Sequence, residues 1–331
     1  MASFLVVDSG TTTTRVRLVR GGEVVRSLTR RVGARDTAVD GDNHRLREAL
    51  RAMLQQFESE EPDLEGVLLS GMITSNVGLL EVPHLTAPAS LDDLARGIER
   101  RELPELSALP FHFVRGVRTM GARGDRAGGD LAGFDVLRGE EAEVVGLREL
   151  LGIDRRAVFM HYGSHHKAVD VAADGTILAS RTALTGELLD AVREHTILSS
   201  SVVPLDGFTP DAAAWREGMR AADVHGLGRA LFLVRVGEQI GGRSKEAMTA
   251  FLLGALTGLD LPLLQLEGDD DRAVVLYGRG PFKTILRDHL EETRGIRAVV
   301  VDDATAEAAA VAGAIALYRR GRELQGVEGG M

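Results

Sequence analysis

One pattern occurs twice in this chain, and it narrows the fold more than any other feature. A short apolar run enters a polar loop that carries a glycine; a second strand, a turn glycine and a third strand follow. In the first copy, residues 4–7 lead into Asp8-Ser9-Gly10-Thr11-Thr12-Thr13-Thr14. Residues 15–20 then alternate polar and apolar, as a half-buried strand does. Gly21-Gly22 is a hairpin turn signal, and residues 23–27 continue as a strand. In the second copy, residues 157–160 lead into His161-Tyr162-Gly163-Ser164-His165-His166-Lys167. Residues 168–171 follow, then an Asp174-Gly175 turn and residues 176–179. Gly10 to Gly22 and Gly163 to Gly175 are both separations of twelve positions. Two common hairpins can agree by coincidence. The sharper reading is two α/β domains of related build, each opening on a glycine-bearing hairpin. Such loops present N–H groups and hydroxyls suited to phosphate oxygens. A pair of them facing across a cleft would clamp a polyphosphate.

The rest of the pattern agrees with two domains, as does a length of 331 residues. The expected division is 1–145 and 146–331, with the final helix returning to the interface. Leu46, Leu50, Met53, Leu54 and Phe57 share one face of a helix expected over 44–58. Residues 67–69 form a buried strand that opens into Ser70-Gly71-Met72-Ile73-Thr74-Ser75-Asn76, and residues 111–114 another strand. Helices are expected over 140–151, 187–198, 209–226, 228–240 and 244–257. A strand over 273–277 turns at Gly278-Arg279-Gly280-Pro281 into a helix from Phe282, with Pro near its first position. A strand over 297–301 precedes a helix over 304–320 that Asp302 or Asp303 can cap. Gly146 and Gly313 would let their helices cross closely, or sit in plain Ala-rich core helices. Five glycines within 121–133 read as a flexible loop, and Asp269-Asp270-Asp271 as a solvated one.

The chain has no cysteine, which excludes a disulfide scaffold, a thiol nucleophile and any thiolate metal site. With 39 basic against 49 acidic residues the net charge is −10, so a nucleic-acid partner is not expected. A small anionic substrate needs only a few local cations. The N-terminal MASFLVVDSG lacks a basic start and its apolar run is short, so a signal peptide is not expected. No membrane partner is expected either, because no apolar stretch is expected to approach ~18 residues. The expected location is cytoplasmic; homo-oligomerisation is left open.

Asp8 ends a buried strand in a hydroxyl-rich turn. A carboxylate there can hold Mg²⁺ through water, and the hydroxyls and amides of Gly10, Thr11 and Thr12 can bind phosphate. An ordinary polar hairpin is the plain alternative. No Gly-Lys-Ser/Thr follows, so this is not a Walker loop, and a strand rather than a helix comes next, so it is not a Rossmann turn. Arg138-Gly139-Glu140-Glu141-Ala142-Glu143 places two adjacent carboxylates at a helix start. They complement the helix dipole, or one of them is a base that takes a proton from an attacking hydroxyl. His161, His165 and His166 lack companions at zinc-site spacing. Asp40-Gly41-Asp42-Asn43 resembles a calcium loop, but its twelfth position is Arg51 rather than Glu.

Taken in order, these pieces resemble the actin-like ATPase and sugar-kinase superfamily, and within it the 2-dehydro-3-deoxygalactonokinase family. The resemblance is carried by VVDSGTTTTRVRLV (6–19), SGMITSNVGLLEVPHLTAPAS (70–90), RGEEAEVVGL (138–147), YGSHHKAVDV (162–171) and SRTALTGELLDAVREHTIL (180–198). In the last third only the glycine turn and the final helix take part. The chain departs from the family pattern at Gly-Ser-His-His-Lys-Ala, where relatives tend to have Gly-Thr-His-x-Lys-Trp, and at Ser9, where an aromatic is usual. The resemblance implies two actin-like, ribonuclease H-like domains around a central cleft, the first mainly on the substrate side and the second mainly on the nucleotide side. It implies ATP-dependent phosphorylation of 2-dehydro-3-deoxy-D-galactonate at its 6-hydroxyl. Asp8 would hold Mg²⁺; Gly10, Thr11, Thr12, Gly163 and Ser164 would bind phosphates, and Lys167 would neutralise charge. Adenine would lie by Gly278 and Gly280. Glu140 or Glu141 would be the base, with a lean to Glu141. Arg15, Arg138 and Arg181 are candidate partners for the substrate carboxylate, Arg181 first. Ser75, Asn76, Thr185 and Glu187 are candidates for its hydroxyls. A hexose or N-acetylhexosamine kinase, a polyphosphate phosphatase and a nucleotide-gated binding protein are the other readings of this scaffold.

Overall fold

The computed structural model describes residues 2–121, 131–266 and 271–328. Most of the glycine-rich stretch 121–133, Asp269, Asp270 and the last three residues lie outside the described residues. By its contacts the chain forms two compact units, one of Met1–Arg155, Val171–Ser180 and Ala304–Met331, the other of Arg156–Asp170 and Arg181–Asp303.

The first unit begins with the hairpin strands β1 (Ser3–Ser9), β2 (Thr14–Arg20) and β3 (Glu23–Arg30). Helices α1 (Ala34–Asp40) and α2 (His44–Glu58) lead to β4 (Leu64–Gly71). Then come β5 (Leu85–Thr86), α3 (Leu91–Arg96), β6 (Glu99–Glu102), β7 (Pro110–Phe113), β8 (Val117–Thr119), β9 (Asp135–Leu137) and α4 (Glu140–Leu151). Six strands make one sheet in the order β3-β2-β1-β4-β7-β6, and β5-β8-β9 make a small second one. The hairpin pairs are antiparallel, whereas β1, β4 and β7 run parallel. Strands covered on both faces read as near-continuous apolar runs. In β1, Phe4, Leu5, Val6 and Val7 are all buried. The edge strands β3 and β6 are charged and largely exposed, which discourages pairing with another chain. Leu46, Leu50, Met53, Leu54 and Phe57 of α2 are buried, as their spacing predicts, and most of them pack with Leu5, Val7, Val67 and Leu69.

The second sheet is built from β10 (Ala157–Tyr162), β11 (His166–Val171), β12 (Ile177–Ala183), β13 (Ala273–Gly278) and β14 (Ala298–Val300). Its order is β12-β11-β10-β13-β14, with β10, β13 and β14 parallel. This repeats β3-β2-β1-β4-β7: three hairpin strands in reverse order, then two parallel strands beside the first. Both sheets therefore share one build, and the equal glycine spacing is its trace in the sequence. Helices α5 (Thr185–His195), α6 (Ala212–His225), α7 (Leu227–Gln239), α8 (Lys245–Asp260) and α9 (Phe282–Arg294) complete this part.

Residues 245–264 correct one expectation. They form a stretch long and apolar enough to cross a membrane, with a mean hydropathy of 1.6 over its best window. Two features kept it from notice in the sequence: Asp260 interrupts it, and it is rich in Ala, Gly and Thr. Most of that window, 67%, is packed inside the protein, as in a core helix that is apolar all round. Its fit against α6 is reciprocal. A Cβ on Gly218 would lie 1.9 Å from the Phe251 carbonyl oxygen, and one on Gly254 would lie 1.9 Å from that of Trp215.

The last helix, α10 (Asp303–Glu328), belongs to the first unit and crosses α4 in the same manner. A Cβ on Gly146 would lie 1.9 Å from the Ala309 oxygen, and one on Gly313 would lie 1.8 Å from the Ala142 oxygen. The two glycines therefore mark a real helix crossing. It fixes the helix that begins at Glu140.

Candidate functional site

In open α/β sheets, ligands bind beyond the carboxyl ends of the parallel strands. In the first unit that edge carries most of the singled-out residues. Asp8, next to last in β1, lies opposite Arg15 on β2 and Ser70 on β4. Its side chain is 29% exposed, and Arg15 Nη1 donates to it at 3.5 Å. The loop beyond Asp8 is pinned from below. Ser9 and Thr14 share a buried hydroxyl–hydroxyl bond of 2.8 Å, and Thr14 Oγ1 donates to the Val32 carbonyl at 2.7 Å. The Gly10 N–H closes the loop onto the Thr13 carbonyl at 2.9 Å, and the N–H of Arg35 donates to the Thr11 carbonyl at 2.8 Å. Gly33 backs directly onto this loop, since a Cβ there would lie 2.6 Å from the Gly10 oxygen. Thr12 is exposed, and Thr11 is partly so.

Two glycines bring the Glu pair to the same edge. Gly71 ends β4 beside Ser9 with φ 84°, where a Cβ would lie 2.7 Å from the Ser9 oxygen and 3.4 Å from Asp8 Oδ1. Gly139, at φ 116°, packs so close that its Cβ would lie 3.1 Å from the Gly71 Cα. Side chains are disfavoured at both by conformation and by space. The chain Asp8–Gly71–Gly139 thus sets the start of α4 against the aspartate. There the two glutamates differ. Glu141 is fully buried, and both its oxygens accept from the Gly139 N–H at 2.9 and 2.8 Å. Glu140 is half-buried, and its Oε2 accepts from the Arg138 N–H at 3.0 Å.

Arg138 reaches across the unit. Its guanidinium donates to the Thr74 carbonyl, to Thr74 Oγ1 at 2.6 Å and to the Val82 carbonyl at 3.4 Å, and meets His84 Nδ1 at 3.3 Å. Burial lowers the Arg138 pKa. Burial, reinforced by the Arg138 charge, pushes His84 down to about 4, so it is neutral at neutral pH. Ser75 is buried and donates to the Met72 carbonyl at 2.7 Å, whereas Asn76 is exposed. Arg17 was not singled out in the sequence. It is 5% exposed, its Nη1 has no hydrogen-bond partner among the described residues, and burial lowers its pKa against the opposing pull of Asp8. Its alternation on β2 predicted only a half-buried strand; nothing marked it as buried charge.

In the second unit the same edge recurs. Tyr162 ends β10 opposite Gly278, which ends β13 with φ 96°. A Cβ on Gly278 would lie 2.3 Å from the Tyr162 oxygen, and the Arg279 N–H donates to that oxygen at 2.7 Å. This is the counterpart of Gly71 against Ser9. The structure therefore brings Gly163, Ser164, Gly278 and Gly280 together around one strand pair, with Ser164 and Gly280 exposed. The N-terminus of α5 backs onto the loop: a Cβ on Gly186 would lie 2.1 Å from the Gly163 oxygen, and the Glu187 N–H donates to the Ser164 carbonyl at 2.8 Å. Glu187 itself is exposed and meets His165 Nε2 at 3.1 Å. Lys167 is buried on β11.

Thr185 and Arg181 are engaged with protein groups. Thr185 Oγ1 donates to Asp260 Oδ1 at 2.5 Å. Arg181 donates from Nη1 to Asp170 at 2.7 Å and from Nε to the Leu263 carbonyl at 2.5 Å, while Arg272 holds the other Asp170 oxygen at 2.9 Å. Asp260 was missed because it sits at the end of an apolar helix more than 70 residues from its partners. Sequence spacing carries no sign of such a pairing.

A duplicated sheet with a glycine ledge at the end of each parallel strand pair is the fold of the actin-like ATPases and sugar kinases, here in an enzyme that transfers phosphoryl groups to an alcohol. The sequence matches the family model for 2-keto-3-deoxy-galactonokinase over residues 8–317, and the chain belongs to that family. It is 28% identical over 304 residues to a Rhizobium meliloti protein named as a probable 2-dehydro-3-deoxygalactonokinase, DgoK1, covering 91% of this chain and 93% of the relative. It is 25% identical over 261 residues to the Escherichia coli 2-dehydro-3-deoxygalactonokinase, covering 78% and 80%. Its backbone is similar to the crystal structure of a Sinorhizobium meliloti protein described as a candidate 2-dehydro-3-deoxygalactonokinase. There the TM-score is 0.74 at 28% identity, over 96% of this chain and 98% of the other. The chain is thus a sugar-acid kinase with ATP as its phosphate donor. Neither the hexose-kinase and phosphatase readings nor a non-enzymatic one is favoured by these relatives.

Proposed function

We propose that this kinase transfers the γ-phosphoryl group of ATP to the 6-hydroxyl of 2-dehydro-3-deoxy-D-galactonate. The observation that carries the reading is the family match over residues 8–317, which spans Asp8, the Gly-Glu-Glu helix start and both glycine ledges. Phosphoryl transfer asks mainly for positioning and charge stabilisation.

The donor set suits Mg²⁺, which takes oxygen ligands, keeps several waters and rests on one or two carboxylates plus phosphate oxygens. Asp8 offers a partly open carboxylate. Among the described residues no three carboxylates or imidazoles gather to cage a metal by themselves. When bound, Mg²⁺ would neutralise charge on the donor phosphates. We assign Gly10, Thr11, Thr12, Gly163 and Ser164 to the phosphates, Lys167 to charge neutralisation, and Gly278 and Gly280 to the adenine side. The first unit takes mainly the sugar acid and the second mainly the nucleotide.

The Glu pair supplies the base, and its asymmetry divides the work. Glu141, buried and turned onto the Gly139 N–H, holds the helix start. Glu140, half-open, accepts the hydroxyl proton. This reverses the lean toward Glu141 that the sequence suggested. Among the three candidate arginines, Arg15 keeps a partly open guanidinium in a loose pair, so the contact with an anionic group goes to it. Arg138 and Arg181 hold backbone in place. Asn76 and Glu187 are open to substrate hydroxyls, whereas the hydroxyls of Ser75 and Thr185 bond inward.

The test is coupled ADP release over a panel of 2-keto-3-deoxy acids and neutral hexoses. A site built around a carboxylate leaves a cation unpaired under a neutral sugar, so kcat/KM should fall by at least about 10²-fold for glucose or galactose. Equal turnover of galactose and the sugar acid would refute the substrate. EDTA should abolish turnover, and Mg²⁺ should restore it.

A further inference from the structure

The strongest unexplained feature is a charged group in the core of the second unit. Asp260 is 1% exposed at the end of α8. Its two oxygens are used separately. Oδ1 accepts from Thr185 Oγ1 at 2.5 Å, and Oδ2 pairs with His166 Nδ1 at 2.6 Å, with His166 also 1% exposed. Thr185 is the first residue of α5, and His166 is the first residue of β11. These two positions flank the Gly163–His165 loop: one ends it, and the other starts the helix whose Gly186 backs onto it. The His166 ring is clamped on its other sides by Tyr162 and Phe282, whose ring centroids lie 4.8 and 4.9 Å away. Tyr162 is the residue that enters the loop and carries the Gly278 ledge.

We propose that Asp260 is a positioning residue for the phosphate donor. Through His166 and Thr185 it sets the spacing between the Gly163–His165 loop and the N-terminus of α5, and so the shape of the backbone that receives the phosphates. A buried carboxylate with both oxygens in charge-assisted bonds is a stiff joint, because every alternative arrangement leaves buried polar groups unpaired. Thr185 is then not a substrate contact; its hydroxyl belongs to the joint. The inference rests on the reading that this loop holds nucleotide phosphates.

The test uses the full chain carrying Asp260→Asn, the milder Thr185→Val, Thr185→Ser, and Lys167→Met as a control on the loop reading. Three quantities are measured: the dissociation constant for ATP without sugar acid, steady-state KM for each substrate, and amide hydrogen exchange of residues 162–166 and 185–189. Asp260→Asn and Thr185→Val should speed exchange in both segments. They should raise Kd and KM for ATP about 10-fold or more, as misplacing a binding group by ~1 Å can cost up to ~10²-fold. The KM for the sugar acid should stay within about twofold, and Thr185→Ser should restore the parent values, since its hydroxyl remains. Unchanged exchange in a folded Thr185→Val protein would overturn the proposal. So would a larger rise in KM for the sugar acid than for ATP. If Lys167→Met weakens ATP binding while Asp260→Asn and Thr185→Val do not, the joint alone is refuted. If none of the three weakens it, the loop is not the nucleotide site and the joint falls with that reading.

Discussion

Arg181→Ala separates a structural role from a substrate contact in one variant. Its side chain is 14% exposed and makes two strong bonds, to Asp170 at 2.7 Å and to the Leu263 carbonyl at 2.5 Å. Breaking a buried pair outright costs about 3–5 kcal/mol, because the surviving charge is left without a partner. Here Arg272 stays on Asp170 at 2.9 Å, so Asp170 keeps half its pairing. What is lost is one charge-assisted bond, one bond to a carbonyl and the packing of the side-chain stem. That sums to roughly 2–3 kcal/mol. At about 2–4 °C per kcal/mol, the transition that reports the second unit should fall by about 4–12 °C. Arg181→Lys should recover part of this, since an ammonium can meet Asp170 but cannot serve the carbonyl in the same fork. Calorimetry of the full chain supplies the stability, and coupled ADP release supplies the KM values. An unchanged melting temperature together with a KM for the sugar acid raised about 10-fold or more, as loss of a charged contact would give, would refute this reasoning and restore Arg181 as a substrate residue.

Glu140→Gln should lose about 10²–10⁴-fold in kcat with stability intact, as for removal of a general base, while Glu141→Gln should lose about 1–3 kcal/mol of stability. Single-turnover kinetics beside melting curves checks both, and the reverse pattern would return the base to Glu141. His84 is neutral in the fold with its pKa at about 4, against 6.5 for a free histidine. Its contribution is therefore intact above pH 6.5 and lost as pH falls from there toward 4, so wild type should lose stability more steeply than His84→Gln across that window in pH-dependent denaturant titrations. Gly313→Ala places a Cβ 1.8 Å from a backbone oxygen and should cost about 1–3 kcal/mol or more. Gly326→Ala in the same helix meets nothing within 4 Å and should gain up to about 1 kcal/mol, which thermal melts of both variants will show.

Much of this was legible in the sequence where one local signal sufficed. Period-two and period-3.6 patterns located the hairpins, α2, α4 and the helices of the second half. Two equal glycine separations pointed to a repeated hairpin, whereas the matching order of the parallel strands beside it shows only in the fold. Short or charged elements escaped. The strand β6 is Glu99-Arg100-Arg101-Glu102, and an edge strand needs no apolar face when its partner supplies the ladder. The seven-residue helix α1 offers too few turns for a period to show. In the site, Gly71 and Gly139 lay inside motifs already singled out, but their contact joins residues 68 apart, and no spacing rule reaches that far. The same limit hid Asp260 and made Arg138 and Arg181 look free to bind ligand. A sequence shows that a cation exists; only the fold shows what it already holds.

The crossing of α4 and α10 has a consequence for the making of the protein. Ala142 and Gly146 on one helix meet Ala309 and Gly313 on the other with no room for a single extra carbon. On the ribosome, residues 140–151 emerge long before residues 303–317. Through that interval the helix that carries Glu140 and Glu141 has its apolar side uncovered, and the carboxylates have no fixed place beside Asp8. The first unit can therefore be finished only after the whole of the second has been translated. Phosphoryl transfer should appear with the last helix rather than growing as each half folds, and nascent chains arrested before Ala309 should bind chaperones through that bare face of α4.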